Sequence, residues 1–202
     1  MTFETLWDWR RQTADLYAAV RAAPDPEHAW RQWCAARDRM FRTHPQTPIE
    51  RDQASRFGGL KLFPYDPALR FTVRLLPDEG AAELFPAGAD GDLHVVPFAQ
   101  TDGLAAALGG ELTLYWLLGY GGGTFLPFKD ATSGRSTYGG GRYLLDTIKG
   151  ADLGVAMDGR TVLDFNFAYN PSCAYSSRYI CPLAPPGNRF PTSVRAGEKA
   201  PG

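Results

Sequence analysis

Residues Glu111–Phe128, ELTLYWLLGYGGGTFLPF, decide how this chain folds. Two short runs of apolar and aromatic residues flank the glycine cluster GYGGGT, residues 119–124. Such a cluster between two strand-like runs reads as a flexible hairpin connection, which makes the runs antiparallel neighbours.

The same pattern recurs outward in both directions. LKLFPYD (60–66), LRFTVRLL (69–76), DLHVVPFA (92–99), RYLLD (142–146) and TVLDFNF (161–167) are short runs split by glycine or proline. Asp158-Gly159 reads as a tight turn joining a strand near LGVAM (153–157) to TVLDFNF. Together these runs predict antiparallel strands closing into a β-barrel or sandwich, with strand order unassigned. Upstream the pattern is helical. Phe3, Leu6, Tyr17 and Val20 recur at near-helical spacing, and Trp7 and Leu16 widen the stripe. Asp25-Pro26 reads as an N-cap followed by proline at the first helical position, where its missing N–H costs nothing. A second helix then runs to about Phe41, with Trp30, Trp33, Met40 and Phe41 on its apolar side.

The expected architecture is α+β, mainly β: two N-terminal helices packed on an antiparallel barrel or sandwich. It forms a single domain over residues 1–202, with a helical segment (1–42), a β-rich body (43–197) and a tail (198–202). The closing AGEKAPG is expected to be loose.

A chain of 202 residues with 44% hydrophobic content can bury a sizeable core. The net charge is −1 with acids and bases interspersed. Phosphate backbones require a clustered basic surface, so nucleic acid is not expected as a partner. No apolar run approaches the roughly 18 residues of a membrane helix. The N-terminus lacks the basic-then-apolar order of a signal peptide. No membrane partner and a cytoplasmic location are therefore expected. Oligomeric state is not readable.

Two motifs fail on inspection. GRSTYGGG (134–141) has the glycine spacing of a phosphate-binding loop, but Gly140 and Gly141 occupy the positions that need lysine and Ser/Thr. Cys173, Cys181, His44 and His94 are too loosely spaced for a zinc site. Neither a metal nor a cofactor is expected.

The candidate site comes from strand alternation. If TVLDFNF is one strand, Leu163, Phe165 and Phe167 face one way, and Val162, Asp164 and Asn166 the other. If GRYLLD is its neighbour, Arg142 reaches Asp164 in a rigid guanidinium–carboxylate pair. Two readings remain open: a polar pocket floored by Arg142, Asp164 and Asn166, or polar groups pinning the following loop to the sheet. That loop carries Pro171, Pro182, Pro185 and Pro186, which restrict its backbone. Its Tyr169, Tyr175 and Tyr179 offer apolar bodies with polar tips, and Asn170 precedes a proline turn. Cys173 and Cys181 could be inert buried thiols, a disulfide worth roughly 2–3 kcal/mol, or a nucleophile needing a nearby base or cation. Around Asp130, Thr132, Ser133, Thr137 and Tyr138, polar side chains either bond their own turn or form the pocket's other lip.

GLKLFPYDPALRF, PFKDATSGRSTYGGGRYL, DFNFAYNPSCAYSSRYICPLAPPGN and AGEK resemble the defining segments of a prokaryotic family known as domain of unknown function 1684. The likeness runs from about Trp30 to Lys199, with several multi-residue motifs in the family's order. Matching positions include Asp130, Tyr138, Arg142, Asp164, Asn166, Tyr169, Asn170, Cys173, Tyr175, Cys181 and Asn188. Thr47 stands where the family usually has serine. The resemblance implies a bacterial or archaeal source and a single domain, and it carries no assigned activity.

Three functions fit. The favoured one is binding of a small polar molecule under the 167–190 loop, with Arg142, Asp164, Asn166, Tyr169, Asn170, Tyr175, Asp130 and Tyr138 as ligand contacts. The second is a hydrolase using Asp164 or Cys173. The third is a protein-interaction module in which the loop is purely structural. Whether the chain is an enzyme is left open.

Overall fold

A computed structural model describes residues 2–86 and 91–201. Helix α1 spans Phe3–Ala22 and α2 spans Pro26–Thr43. Thr2 caps α1 through a reciprocal pair with Thr5. The Asp25 carboxylate caps α2 by accepting from the amides of Glu27 and His28, with Pro26 at the first position as expected. The stripe of α1 holds only in part. Tyr17 is buried, whereas Phe3 is 92% and Trp7 65% exposed. The first turns direct Trp9 toward α2 instead, where it meets Phe41 at 5.9 Å and His44 at 5.1 Å. Trp7, two residues earlier, necessarily projects elsewhere.

The strands are β1 (Arg70–Pro77), β2 (Glu83–Phe85), β3 (Leu93–Asp102), β4 (Thr113–Leu117), β5 (Gly123–Phe128), β6 (Arg142–Asp146) and β7 (Thr161–Asp164). Among the described residues they form one antiparallel sheet in the order β6-β5-β4-β3-β1-β7, with β2 also on β3. The glycine cluster is the hairpin between β4 and β5, opening at the Leu117–Gly123 pair. A one-turn helix, α3 (Ala105–Leu108), joins β3 to β4. The sheet then nearly closes on itself. Tyr143 in β6 exchanges both backbone bonds with Tyr169 beyond β7, at 2.9 and 3.0 Å. The result is the expected mainly β fold, barrel-like, with two N-terminal helices.

Three expected strands change. LKLFPYD contributes one bridge, Leu62 to Glu198, because Pro64 and Pro67 cannot donate to a ladder. LGVAM contributes one bridge, Val155 to Thr161, since Gly154 takes a left-handed φ of +76°. TVLDFNF stops at Asp164, and Phe165–Phe167 form a 3-10 turn. The Asp164 carboxylate accepts from the Asn166 amide and so starts that turn.

The sheet has a core on each face. Leu114, Leu126, Leu144 and Leu163 join Phe165, Phe190, Val194 and Ala196 on one side. Their neighbours Tyr115, Phe125, Tyr143 and Val162 join Tyr17, Trp33 and Phe167 under the helices. The alternation is that of pleated strands buried on both faces. Because of the 3-10 turn, Phe165 and Phe167 lie in different cores rather than on one face.

The closing segment is not a loose tail. Ala196 and Glu198 are fully buried, the Glu198 amide donates to the Ala168 carbonyl at 2.8 Å, and the Lys199 amide to the Lys61 carbonyl at 2.8 Å. Gly197 between them has φ +70°, and a Cβ there would strike the Ala168 carbonyl oxygen. Gly202 lies outside the described residues.

Asn188 ties β4 to β5 from within. Its carboxamide accepts from the Thr113 amide at 2.9 Å and donates to the carbonyls of Thr113 at 2.8 Å and Pro127 at 2.9 Å. Asn188→Asp would turn an acceptor-only carboxylate on two carbonyls. A loss of about 3 kcal/mol is expected, read as a lower urea midpoint with unchanged slope.

Candidate functional site

Arg142 and Asp164 do not meet. The sheet order puts β6 and β7 at opposite ends, and the 3-10 turn lets the chain reach β6 only at Tyr169. Arg142, 1% exposed, lies 3.5 Å from Asp130. Its guanidinium donates to the carbonyls of Val194 at 2.9 Å, Glu198 at 3.4 Å and Ala196. Burial pulls its pKa down to about 10 against the opposing pull of Asp130. Asp130 also accepts from the Val194 amide at 2.6 Å and from Thr132 Oγ1 at 2.8 Å. These two residues therefore clamp the C-terminal segment, and their bonding capacity is spent on the chain itself.

Asp164 and Asn166 form a second closed set. Asp164 accepts from Asn166 Nδ2 at 2.7 Å, from Tyr65 Oη at 3.4 Å, and sits 3.7 Å from Arg70 Nε. Asn166 exchanges two 2.8 Å bonds with the backbone of Asp66, and its own carbonyl accepts from Trp30 Nε1 at 3.0 Å. Burial holds the Asp164 carboxyl above the usual range, with the bonds from Asn166 and the charge of Arg70 opposing it. Asp164 borders a small cavity of about 130 Å³ beside Arg70 and Phe167.

The third set was missed by sequence reasoning and centres on Glu198. Its carboxylate accepts from Arg37 Nε at 2.5 Å, the Asn170 amide at 2.8 Å and Tyr175 Oη at 2.9 Å. Arg37 lies over the rings of Trp33, Phe41 and Tyr169 at 5.5, 4.8 and 4.7 Å. Burial works against its charge, but Glu198 more than offsets this. The available signal was AGEK, a charged segment shared with the resembled family.

A cavity of about 390 Å³ opens beside this set, between the two helices and the loop after β7. Arg10, Tyr17 and Arg37 line it from the helices, and Tyr143, Lys149, Tyr169, Asn170 and Cys181 from the sheet and loop. Among the described residues no aspartate or glutamate lines it. Lys149 is paired with Asp146 at 2.8 Å and Arg37 with Glu198, which leaves Arg10 as the lining cation without an ion pair among the described residues. Two lining residues, Tyr17 and Asn170, carry buried polar atoms without a hydrogen-bond partner among the described residues, Tyr17 Oη and Asn170 Oδ1. Trp33 Nε1 is a third orphan. It is near enough to oppose the rise that burial imposes on the Tyr17 pKa, yet it makes no properly directed bond to that hydroxyl.

Of the sequence-derived contacts, Tyr169 and Asn170 line this cavity, while Arg142, Asp130, Asp164 and Asn166 do not. Tyr175 lines a separate cleft of about 790 Å³ with Phe57, Lys61 and Lys199. Tyr138 donates to Cys173 Sγ at 3.7 Å. Cys173 and Cys181 are both free thiols. His44 bonds Asp8 at 3.0 Å and the Gln46 amide at 3.0 Å. Among the described residues no group of three or more His, Cys, Asp or Glu could hold a metal, and no helix is long and apolar enough to cross a membrane.

Residues 55–199 match the model of a family described as protein of unknown function (DUF1684). No curated protein matches the chain. Among solved structures, the solution NMR structure of the uncharacterized protein from gene locus rrnAC0354 of Haloarcula marismortui is 31% identical. It covers 86% of this chain and 93% of its own, with a TM-score of 0.57.

The raised carboxyl of Asp164 has a defined sign. The folded chain holds this proton more tightly than the unfolded one, so Asp164 lowers stability as pH rises above the ordinary carboxylate value of 3.8 toward the folded pKa. A carbon-detected NMR titration should place its midpoint above 3.8. Arg70→Ala, which removes a favourable charge, should move it higher still. A midpoint at or below the ordinary value would contradict this electrostatic account.

Proposed function

The chain belongs to the DUF1684 family of proteins of unknown function, and from that premise we propose that it binds a small polar molecule in the cavity beneath the loop after β7. The observation that carries this reading is the pair of unpartnered buried atoms, Tyr17 Oη and Asn170 Oδ1, on two residues of one cavity wall. Buried polar atoms cost free energy unless bonded, and a ligand offering a donor to Asn170 and a partner to Tyr17 would recover it. At about 390 Å³ the volume suits a small organic molecule.

The lining narrows the class. Trp9, Phe41, Tyr143 and Tyr169 offer ring surfaces, which favour a flat apolar body. Arg10, with no acidic group on the lining among the described residues, favours an anionic substituent such as a carboxylate or phosphate. In this proposal the chain acts as a single domain in the cytoplasm.

The hydrolase reading, with Asp164 or Cys173 at its centre, loses support because Asp164 borders only the 130 Å³ cavity and Cys173 lines none of the cavities of about 130, 390 and 790 Å³. A partner-binding reading keeps one specific observation, the exposure of Phe3 and Trp7 one turn apart on α1.

Protein-observed NMR with a panel of aryl carboxylates and aryl phosphates tests the proposal. At least one member is expected to shift the Tyr17 and Asn170 side-chain signals, and Arg10→Ala to weaken it about tenfold, or ~1.4 kcal/mol. If every compound leaves both residues unmoved, the cavity is not a binding site for this class.

A further inference from the structure

The loop that walls the cavity also carries two thiols held against each other. Cys173 lies in the 3-10 turn Ser172–Ala174 after Pro171, and Cys181 directly precedes Pro182. The Cys173 amide donates to Cys181 Sγ at 3.3 Å. Tyr138, reaching across from the loop before β6, donates its hydroxyl to Cys173 Sγ at 3.7 Å. Both cysteines are half-buried, within reach of solvent solutes, and Cys181 is part of the cavity wall.

The two thiols are in unlike environments. A hydrogen bond from Cys181, followed by that from Tyr138, outweighs burial and brings Cys173 down to about 6. The same contact together with burial pushes Cys181 well up. The contact thus favours ionisation of one sulfur and retention of the proton on its neighbour. The third cysteine, Cys34 in α2, is pushed up to about 12 chiefly by burial.

We propose that Cys173 and Cys181 form a dithiol site that reacts with hydroperoxides and closes to a disulfide across the cavity wall. The Cys173 thiolate attacks the terminal peroxide oxygen, forming an S–O bond as the O–O bond breaks. The leaving oxygen takes from solvent the proton that Cys173 gave up on ionising, so the peroxide is reduced to an alcohol, or to water from hydrogen peroxide, and Cys173 is oxidised by two electrons to a sulfenic acid. The Cys181 sulfur then attacks the Cys173 sulfur, an S–S bond forms, the S–O bond breaks, and water leaves with the Cys181 proton. In sum, two thiols and one hydroperoxide give one disulfide, one alcohol and one water. The roles follow from the donors: the Cys173 sulfur accepts from the Tyr138 hydroxyl, and Cys181, whose sulfur accepts from the Cys173 amide, supplies the second sulfur. This proposal stands independently of the cavity's ligand.

The test uses the full chain and hydrogen peroxide at neutral pH, followed by denaturation, alkylation with N-ethylmaleimide and intact-mass measurement. The expected product carries one alkyl group, at Cys34, with Cys173 and Cys181 joined. Three alkyl groups after peroxide exposure, or a bridge involving Cys34, would overturn the proposal. Before oxidation, iodoacetamide should modify Cys173 at least ~10-fold faster than Cys34; equal rates count against it. Cys181→Ser should accumulate a sulfenic acid at Cys173 that dimedone captures, and Cys173→Ser should give none. Because the counting and rate measurements use the unaltered chain, a variant that fails to fold does not protect the proposal.

Discussion

The Glu198 carboxylate accepts a guanidinium N–H, a backbone amide and a tyrosine hydroxyl at a fully buried position. The three donors belong to α2 and to the chain after β7, and Glu198 itself belongs to the last described segment. A carboxylate removed from water is costly, and its pairing with Arg37 roughly returns that cost without a large surplus. What the arrangement supplies is position. Loss of Arg37 strands the charge, and loss of either neutral donor leaves a buried carboxylate underbonded, so helix, loop and C-terminal segment must occupy this one geometry together. The cavity lies between these parts, and its shape depends on that constraint.

Arg142 performs the matching task on the other side of the same segment. It donates to the carbonyls of Val194, Ala196 and Glu198, while Asp130 takes the Val194 amide. A peptide segment without strand partners must still satisfy its backbone groups, and here a buried guanidinium and carboxylate do so. Glu198 faces the helices from this segment, while its carbonyl and those of Ala196 and Val194 face Arg142. Gly197 lets the two directions coexist, since only a left-handed residue without Cβ fits against Ala168. The burial of Asp130 and Arg142 is therefore explained by anchoring, with no ligand required.

How much of this was legible in the sequence depended on range. The β4–β5 hairpin, the Asp25-Pro26 cap and the mainly β class rest on neighbours within a few residues, and those signals read correctly. Strand alternation failed at Asp164 because the side chain that alternation aimed at β6 instead caps a 3-10 turn. One local hydrogen bond redirected the residues that follow, and with them the expected pairing to Arg142. LKLFPYD misled because its apolar content outweighed Pro64 within it and Pro67 just after it, which deny it a ladder. AGEKAPG was read as loose because small and charged residues at a chain end usually are. Its burial depends on Arg37 and Asn170, 161 and 28 residues distant in sequence, and no local pattern encodes that.

The loop after β7 combines stiffness with reactive groups, and the two properties support each other. Pro171, Pro182, Pro185 and Pro186 reduce the conformations open to the unfolded chain, so ordering the loop costs less entropy. Asn170 at one end bonds the Lys199 carbonyl at 2.7 Å, and Asn188 at the other is locked between β4 and β5. Within such a frame, side chains that would otherwise sample many arrangements stay close: Tyr143 bonds the Pro182 carbonyl at 2.6 Å, and the Cys173 amide meets Cys181 Sγ. A flexible loop would lose the thiol contact to chain entropy. Because Cys181 and Asn170 both line this cavity, any chemistry at the sulfurs acts on the wall to which Asn170 belongs.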